Sequence, residues 1–428
     1  MREKLGLKLG VVVAVAAAGL VLTAASASAA ITPNPWLDRH FLNIAHQGGE
    51  DEAPSNTMYA FKSAIREGHA DMLEMDVHLT SDGHLVVIHD DTWTRTACLP
   101  ALCPGPTSAS EPVRPANQIR NMTLAEVQAL DAGYWFRPGT YQHDYTQPVS
   151  AFPFRGIRTG EKAPPKGYTA EDFRIPTLEE VLKTFPHTPT NIEIKMPKSY
   201  DPVNPYPATC GNKDGSAPGT LCDDLDLTEP TTRALADLLN STPRIPTAKR
   251  VKKHKRCVAK RKAASRSAGT AKVRKCTKPR KGRRNDIIVV AFSQEPMEMF
   301  AQLAPTVHRA PSLPSLSGYA FQGKPLVPDP VAFQVPPLYG GVKAPKLLLG
   351  QPFFAHESGY AVHVWTDGPE DETDERYREM LDLGVDGIMT TSPRKLNAFL
   401  CANKVAHPNG TTRCATKKPK KKRKGGKK

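Results

Sequence analysis

Short apolar segments alternate along this 428-residue chain with segments in which apolar residues recur at helical spacing. Such alternation is typical of βα units, in which helices connect parallel strands. Eight strands are predicted, at residues 42–45, 72–78, 85–89, 191–195, 287–292, 331–335, 361–365 and 387–391. Helices are indicated by five apolar groups, namely Met58, Phe61 and Ile65; Leu178, Val181 and Leu182; Leu235, Leu238 and Leu239; Met297 and Phe300; and Tyr377, Met380 and Leu381. Eight strands favour an α/β fold of the (β/α)8 TIM barrel type over an open doubly wound sheet, with long loop insertions at residues 97–175 and 197–230.

The N-terminus has the features of an export signal. Arg2 and Lys4 precede an apolar segment at residues 7–22, and small residues at 24–30 contain an A-x-A cleavage site. We expect residues 1–30 to be a signal peptide, with an uncleaved anchor helix as the alternative. The mature protein would then be secreted or cell-wall associated. It would have no transmembrane span, because the rest of the chain contains no apolar run of sufficient length.

The eight cysteines fall into four pairs that are close in sequence. Disulfides persist in oxidising compartments, so we expect disulfides in the pairs Cys98–Cys103, Cys210–Cys222, Cys257–Cys276 and Cys401–Cys414. The sequence does not fix this connectivity, and a zinc site is the alternative. Zinc is disfavoured because the sequence has no C-x-x-C and no His-Cys cluster with the spacing of structural zinc sites.

The chain contains 58 Lys and Arg residues against 43 Asp and Glu residues, but two segments hold the excess of positive charge. Residues 244–284 and 415–428 contain 28 of the basic residues and no acidic ones. Both lack apolar periodicity, so we expect a disordered basic insertion and a disordered basic tail on one domain at 31–414. Such segments imply an anionic partner. For an exported protein we expect an anionic wall polymer or a membrane surface rather than nucleic acid.

Ionisable residues lie towards the carboxyl ends of the predicted strands, where a (β/α)8 barrel has its active site. Glu74, Asp76 and His78 share one face of the second strand, because side chains alternate along a strand. Taken alone, this E-x-D pattern is also compatible with the solvated face of an edge strand, and we expect His78 to have a packing or supporting role. Glu193 and Lys195 likewise share a face, which lets Lys195 contact an anionic oxygen beside a bound cation.

Two histidines lie beside these carboxylates in the predicted barrel. His46 follows the first strand and His89 ends the third. Imidazoles exchange protons near neutral pH, so the pair is a candidate for acid/base catalysis. Glu74, Asp76 and Glu193 together offer the oxygen ligands that a hard divalent cation prefers, such as Ca²⁺ or Mg²⁺.

The motifs around these residues resemble those of the glycerophosphodiester phosphodiesterases. The similarity is carried by AHQGGEDEAPSNTMYAF at 45–61, GHADMLEMDVHLTSDGHLVVIHD at 68–90, NIEIK at 191–195, VHVWT at 362–366 and GVDGIMTTSP at 384–393. The resemblance implies a (β/α)8 barrel and hydrolysis of a glycerophosphodiester to glycerol phosphate and an alcohol. It also implies roles for seven residues: a metal site at Glu74, Asp76 and Glu193, an acid/base pair at His46 and His89, phosphate binding by Lys195, and a pocket wall near the glycerol at Trp365.

Two positions depart from the family pattern. Gln47 stands where the family has a phosphate-binding Arg, and Ser55 stands where it has Glu. A neutral amide cannot fork two phosphate oxygens as a guanidinium does, so we expect Gln47 to bind substrate more weakly. The acidic residues at 50–52 either approach the metal instead or form a solvated acidic loop.

The sequence therefore predicts an exported, metal-dependent phosphodiesterase that uses two histidines for acid/base catalysis. Which histidine is the acid is left open. One alternative is a phospholipase-like or sphingomyelinase D-like enzyme on the same barrel. The other is a catalytically impaired protein whose basic segments bind an anionic polymer.

Overall fold

The computed structural model describes residues 34–99, 117–139, 147–195, 210–211, 220–221, 224–241, 286–326, 329–339, 342–351, 353–366 and 368–414. The predicted signal peptide, basic insertion and basic tail lie outside these residues. In the part of the chain that is described, no helix is both long and apolar enough to cross a bilayer.

Eight parallel strands form a nearly closed barrel. The described strands are β1 (Leu42–Ala45), β2 (Met72–Leu79), β3 (Leu85–Val87), β4 (Thr190–Ile194), β5 (Cys210–Gly211), β6 (Thr220–Leu221), β7 (Ile287–Val290), β8 (His308–Arg309), β9 (Ala332–Val335), β10 (Leu338–Tyr339), β11 (Val342–Lys343), β12 (Ala361–Trp365) and β13 (Gly387–Thr390). Around the barrel they follow the order β8, β7, β4, β2, β1, β13, β12, β9. At the seam the Val331 amide donates to the Arg309 carbonyl at 2.9 Å, which links the two ends of this order. The predicted (β/α)8 barrel is confirmed.

One strand of the barrel differs from the sequence prediction. The segment predicted at 85–89 is not a barrel strand, because β3 pairs antiparallel with β2 as a hairpin. The connection between them is only five residues, too short for a helical crossover to a parallel strand. The eighth barrel strand is β8 instead. Its two residues, His308 and Arg309, are polar and form no apolar run, so the sequence pattern missed it.

The helices surround the barrel, and all five predicted ones are present. The described helices are α1 (Met58–Arg66), α2 (Leu124–Ala129), α3 (Leu178–Thr184), α4 (Asp224–Ser241), α5 (Gln294–Leu303), α6 (Leu313–Gln322), α7 (Ala344–Leu349), α8 (Asp374–Leu383) and α9 (Pro393–Ala402). Outward-facing strand residues such as Met75, Ile192 and Val289 pack against them. Inward-facing residues such as Ile44 and Met72 form a separate apolar core inside the barrel.

The residues before β1 cover the N-terminal end of the barrel. The Asn34 amide donates to the carbonyls of Val331 and Gly359, at the starts of two strands. Trp36 is fully buried, and its indole N–H donates to His308 Nδ1 at 2.9 Å. This end of the barrel is therefore closed by packed side chains.

The segment that follows α9 is fastened to the same end. The disulfide Cys401–Cys414 is present as predicted. The buried Arg413 guanidinium donates to the Phe41 carbonyl at 2.7 Å and to Asp71 at 2.5 Å, at the starts of β1 and β2. The three other predicted cysteine pairs each include a residue outside the described part of the chain.

Candidate active site

A cavity of about 210 Å³ opens at the carboxyl ends of the barrel strands. Six of the eight predicted site residues line it, namely His46, Glu74, His89, Glu193, Lys195 and Trp365. The other two, Asp76 and Gln47, are buried behind its surface. The alternation of side chains along β2 and β4 accounts for this convergence, since the register of the two strands sets Asp76 beside Glu193.

Three carboxylates form a cluster in the wall of the cavity. Glu74, Asp76 and Glu193 each place an oxygen within 4.8 Å of the others. Burial, and then the neighbouring Asp76 charge, raise the pKa of Glu74 well above its usual value. Asp76 Oδ1 is buried and accepts no hydrogen bond from the described residues. Three hard oxygens suit Ca²⁺ or Mg²⁺, and such a cation would counter the repulsion between these carboxylates.

Lys195 lies between this cluster and His89. Its ammonium is 2.8 Å from Glu193 Oε1 and 3.8 Å from Asp76 Oδ1. Burial lowers the pKa of Lys195, but these two carboxylates outweigh burial and raise the pKa above its usual value. Lys195 is therefore a permanent cation facing the cavity, suited to an anionic oxygen of a ligand.

His89 lies between a lysine and a carboxylate. The Lys195 ammonium is 3.1 Å from His89 Nε2, and an ammonium can only donate, so Nε2 accepts. The other ring nitrogen, Nδ1, then donates to Asp90 at 2.7 Å. Burial raises the pKa of Asp90, but the His89 hydrogen bond and Arg95 outweigh burial and hold that pKa well below its usual range. His89 Nε2 thus faces Lys195, and both residues line the cavity.

His46 differs from His89 in that both of its ring nitrogens face carboxylates. Its Nδ1 is hydrogen-bonded to Glu50, and its Nε2 is 3.9 Å from Glu74 Oε2. Burial alone would lower the pKa of His46, but the carboxylates of Glu50 and Glu74 raise it to about 10. His46 is therefore protonated at neutral pH and can donate a proton into the cavity.

The acidic residues at 50–52 lie outside the three-carboxylate cluster and have hydrogen-bond partners in the fold, so they do not form a solvated loop. Glu50 is 5% exposed and is the partner of His46, a role that the sequence analysis did not identify. The Asp51 carboxylate accepts from the Thr391 hydroxyl at 2.7 Å and faces the cavity. Glu52 accepts from the Arg394 backbone amide at 3.1 Å and so caps the start of α9.

Gln47 and Asn56 shape the loop around the carboxylates. Gln47 has a φ of 49°, and its backbone amide donates to Glu74 Oε2 at 2.7 Å. Its side-chain amide is buried outside the cavity lining, without a hydrogen-bond partner among the described residues. Contact between Gln47 and a substrate stays a prediction. The Asn56 amide donates to Asp76 Oδ2 at 2.9 Å and orients that carboxylate.

The wall opposite the acidic loop is largely apolar. Trp365 and Phe292 both line the cavity, with ring centroids 6.3 Å apart. His78 does not line the cavity, although it shares a strand face with Glu74. Burial lowers the pKa of His78 to about 4, and its Nε2 contacts the His89 carbonyl at 3.1 Å. His78 is thus a neutral packing residue that lies outside the cavity lining.

Comparison with known proteins places the chain in one family. The sequence profile of the glycerophosphoryl diester phosphodiesterase family matches residues 46–205 and 227–395, which is more than half of the chain. A glycerophosphodiester phosphodiesterase of Bacillus subtilis is 31% identical over 174 residues, 40% of this chain and 46% of that protein. One of Caldanaerobacter subterraneus is 36% identical over 156 residues, 36% of this chain and 45% of that protein. The matches thus span less than half the length of these curated relatives.

A similar structure is also known. The crystal structure of a glycerophosphodiester phosphodiesterase from Agrobacterium tumefaciens superposes with a TM-score of 0.45 at 18% identity, covering 82% of this chain and 97% of that chain. The family assignment rests on the sequence profile, whose matched residues contain all eight predicted site residues. The chain belongs to the glycerophosphoryl diester phosphodiesterase family.

Proposed function

We propose that this protein is an exported, metal-dependent phosphodiesterase that hydrolyses glycerophosphodiesters to glycerol phosphate and an alcohol. One observation carries the proposal. Two histidines and a lysine face one cavity beside three clustered carboxylates. Phosphoryl transfer needs these elements, namely a proton acceptor, a proton donor and positive charge at the phosphate oxygens.

The contacts of the two histidines support different roles for them. His89 accepts the proton of the attacking hydroxyl at Nε2, and Asp90 stabilises the imidazolium that forms. His46 donates its proton to the leaving alkoxide and keeps its hydrogen bond to Glu50. Each of these proton transfers contributes about 10²- to 10⁴-fold to the rate.

Positive charge at the phosphate has two sources. The Lys195 ammonium binds a phosphoryl oxygen directly. A divalent cation held by Glu74, Asp76 and Glu193 supplies, when bound, Lewis-acid polarisation of the phosphoryl group. Trp365 lines the apolar side of the same cavity and would pack against the carbon skeleton of the glycerol.

The proposal predicts that turnover and metal binding depend on the same carboxylates. Glycerophosphocholine hydrolysis should stop when a chelator is added and return when Ca²⁺ or Mg²⁺ is restored. Glu74→Gln should lose both turnover and the heat of metal binding in calorimetry. Glu179→Gln, on the exposed face of α3, is the matched control and should retain both. Full turnover of the chelated protein would contradict metal dependence.

Export and attachment to an anionic polymer are a separate part of the proposal. They are supported by the N-terminal sequence, by the Cys401–Cys414 disulfide and by the 28 basic residues in two acid-free segments. Polyglycerol phosphate is a chain of glycerophosphodiesters, so it suits both the cavity and the basic segments. Deleting residues 415–428 should weaken retention on such a polymer and flatten its salt dependence while sparing turnover of small soluble diesters. Equal binding curves for intact and truncated protein would contradict this.

A further inference from the structure

A buried carboxylate lies behind the cavity wall, outside the three-carboxylate cluster. Glu372 is 2% exposed and shortly precedes α8. It accepts hydrogen bonds from the Thr366 hydroxyl at 2.6 Å, the Thr390 hydroxyl at 2.6 Å, the Thr391 backbone amide at 2.8 Å and the Tyr377 hydroxyl. Burying a carboxylate is costly unless hydrogen bonds replace those to water, so these donors hold Glu372 in one place.

Glu372 joins the ends of two neighbouring barrel strands. Thr366 directly follows β12, and Thr391 directly follows β13. Both threonines line the cavity, and both donate to the same oxygen, Glu372 Oε1. One carboxylate therefore holds together the two loops that form this part of the cavity wall.

The hydrogen bonds continue from Thr391 to the loop that carries His46. The Thr391 hydroxyl donates to the Asp51 carboxylate at 2.7 Å, and the Thr391 carbonyl accepts from the Asp51 amide at 3.1 Å. The residue before Asp51 is Glu50, whose carboxylate is hydrogen-bonded to His46 Nδ1. Glu372 is thus connected to the partner of His46 by a short series of hydrogen bonds.

We propose that Glu372 is a positioning residue for His46. It fixes Thr391, and Thr391 fixes the loop at 46–51, so that the acid faces the leaving alcohol. This inference rests on the proposed function, because it takes His46 as the acid. As the bond from phosphorus to the alcohol oxygen breaks, His46 gives its proton to that oxygen and becomes neutral. Loss of Glu372 misplaces this proton donor and leaves the phosphate-binding groups in position.

The experiment compares two leaving groups in the full-length protein at saturating metal. Choline needs a proton to leave from glycerophosphocholine, whereas p-nitrophenolate leaves from the glycerol p-nitrophenyl phosphodiester without one. Glu372→Ala should lower kcat for glycerophosphocholine by about 10²-fold, the lower end of what an acid contributes, and kcat for the p-nitrophenyl ester by no more than a few fold. KM should stay near the parental value for both, because the Lys195 ammonium is held by Glu193 and Asp76 instead.

Two conservative variants test the same geometry, also when Glu372→Ala does not fold. In Glu372→Gln, the amide oxygen can accept from Thr366 and Thr391, and the hydroxyls of Tyr377 and Thr390 can turn to accept from the NH₂ group. This variant should restore kcat for glycerophosphocholine to within a few fold of the parent. Glu372→Asp is one methylene too short to reach all four donors, and should show a smaller loss with the same dependence on the leaving group.

Two other variants provide the reference and the control. His46→Asn removes the acid, and adding Glu372→Ala to it should cause little further loss, because residues that act as a unit are not additive. Asp71→Ala is the matched control at the N-terminal end, where the Asp71 carboxylate accepts from Arg413 and from the Asn43 amide. It should lower the unfolding temperature without changing the ratio of the two kcat values.

The outcomes separate this inference from the proposed function. No turnover by the intact protein, or an equal loss on both substrates in His46→Asn, would overturn the acid assignment and the inference together. A leaving-group effect in His46→Asn, with equal losses or no loss in the Glu372 variants, would overturn the inference alone. A full additional loss in the double variant would also overturn it, because Glu372 would then act independently of His46.

Discussion

Two pairs of histidines lie at opposite ends of the same barrel and differ in their hydrogen-bond partners. At the carboxyl end, His46 and His89 each have a carboxylate partner, and the pKa of His46 is raised to about 10. At the N-terminal end, burial lowers the pKa of His308 and of His363 to about 4. Neither ring at that end has a carboxylate hydrogen-bond partner among the described residues. Neighbouring carboxylates can outweigh the effect of burial on the pKa of a histidine, as they do at His46.

The packing at the N-terminal end explains the difference. His308 accepts from the Trp36 indole, and His363 lies edge-on to the same indole with ring centroids 6.1 Å apart. The Arg39 guanidinium lies over the Trp36 ring, 4.3 Å from the ring centroid. A second positive charge there would be buried close to the Arg39 guanidinium, which is costly. These imidazoles therefore act as neutral packing groups.

The largest expected effect is on turnover, which should depend on the histidines at the carboxyl end and not on those at the N-terminal end. His46→Asn and His89→Asn should each reduce kcat for glycerophosphocholine by about 10²- to 10⁴-fold, because each removes one proton transfer. His363→Met, at the other end, should keep turnover within a few fold at neutral pH. Near-parental kcat in either active-site variant, measured with saturating metal, would contradict the acid/base assignment.

The second prediction concerns the histidines at the N-terminal end and the pH dependence of the free energy of unfolding. The pKa of His363 is about 6.5 in the unfolded chain and about 4 in the folded one, so between these values the unfolded chain binds more protons. The free energy of unfolding should therefore fall as pH falls through this window, by about 2 kcal/mol from this residue between pH 7 and pH 5.

Urea unfolding at the two pH values measures this change. The His363→Met variant should lose less stability on acidification than the parent by about that amount. Equal losses in the two proteins would mean that His363 is protonated in the fold.

The smallest expected effect concerns the source of the raised pKa at the carboxyl end. Glu50→Gln keeps the hydrogen bond to His46 but removes the charge that raises the pKa of that imidazole. The alkaline limb of the pH profile of kcat should move to lower pH, because the acid must be protonated to act. Since Glu50 lies outside the metal cluster, the shift should persist at saturating metal. An unmoved limb would point to Glu74 as the main source.

Period-two alternation in the sequence was enough to predict much of this site. Glu74 and Asp76 lie on the inward face of β2, and Glu193 and Lys195 on that of β4, as the pattern requires. Along a long strand, alternation predicts well which face each side chain lies on, because successive side chains point to opposite faces. It fails for β8, where two residues are too few to carry a period.

The role of Glu50 depended on loop geometry that no periodicity encodes. Gln47, Gly48 and Gly49 all have positive φ, which turns the chain back so that Glu50 reaches His46. At Gly49 an added Cβ would lie 2.6 Å from Pro393, so this turn requires glycine. Tight turns of this kind depend on contacts with distant residues such as Pro393, which a local pattern does not reveal.

The places where the basic segments join the barrel have a consequence for its orientation. The insertion at 244–284 connects Ser241, the end of α4, to Asp286, whose carbonyl accepts from the Thr190 amide at the start of β4. Cys414, which precedes the tail, is tied beside the starts of β1 and β2. Both positive segments thus originate at the closed end, while clustered carboxylates occupy the open one. We expect binding through the basic segments to leave the mouth of the cavity accessible to substrate, because both segments join the barrel at its other end.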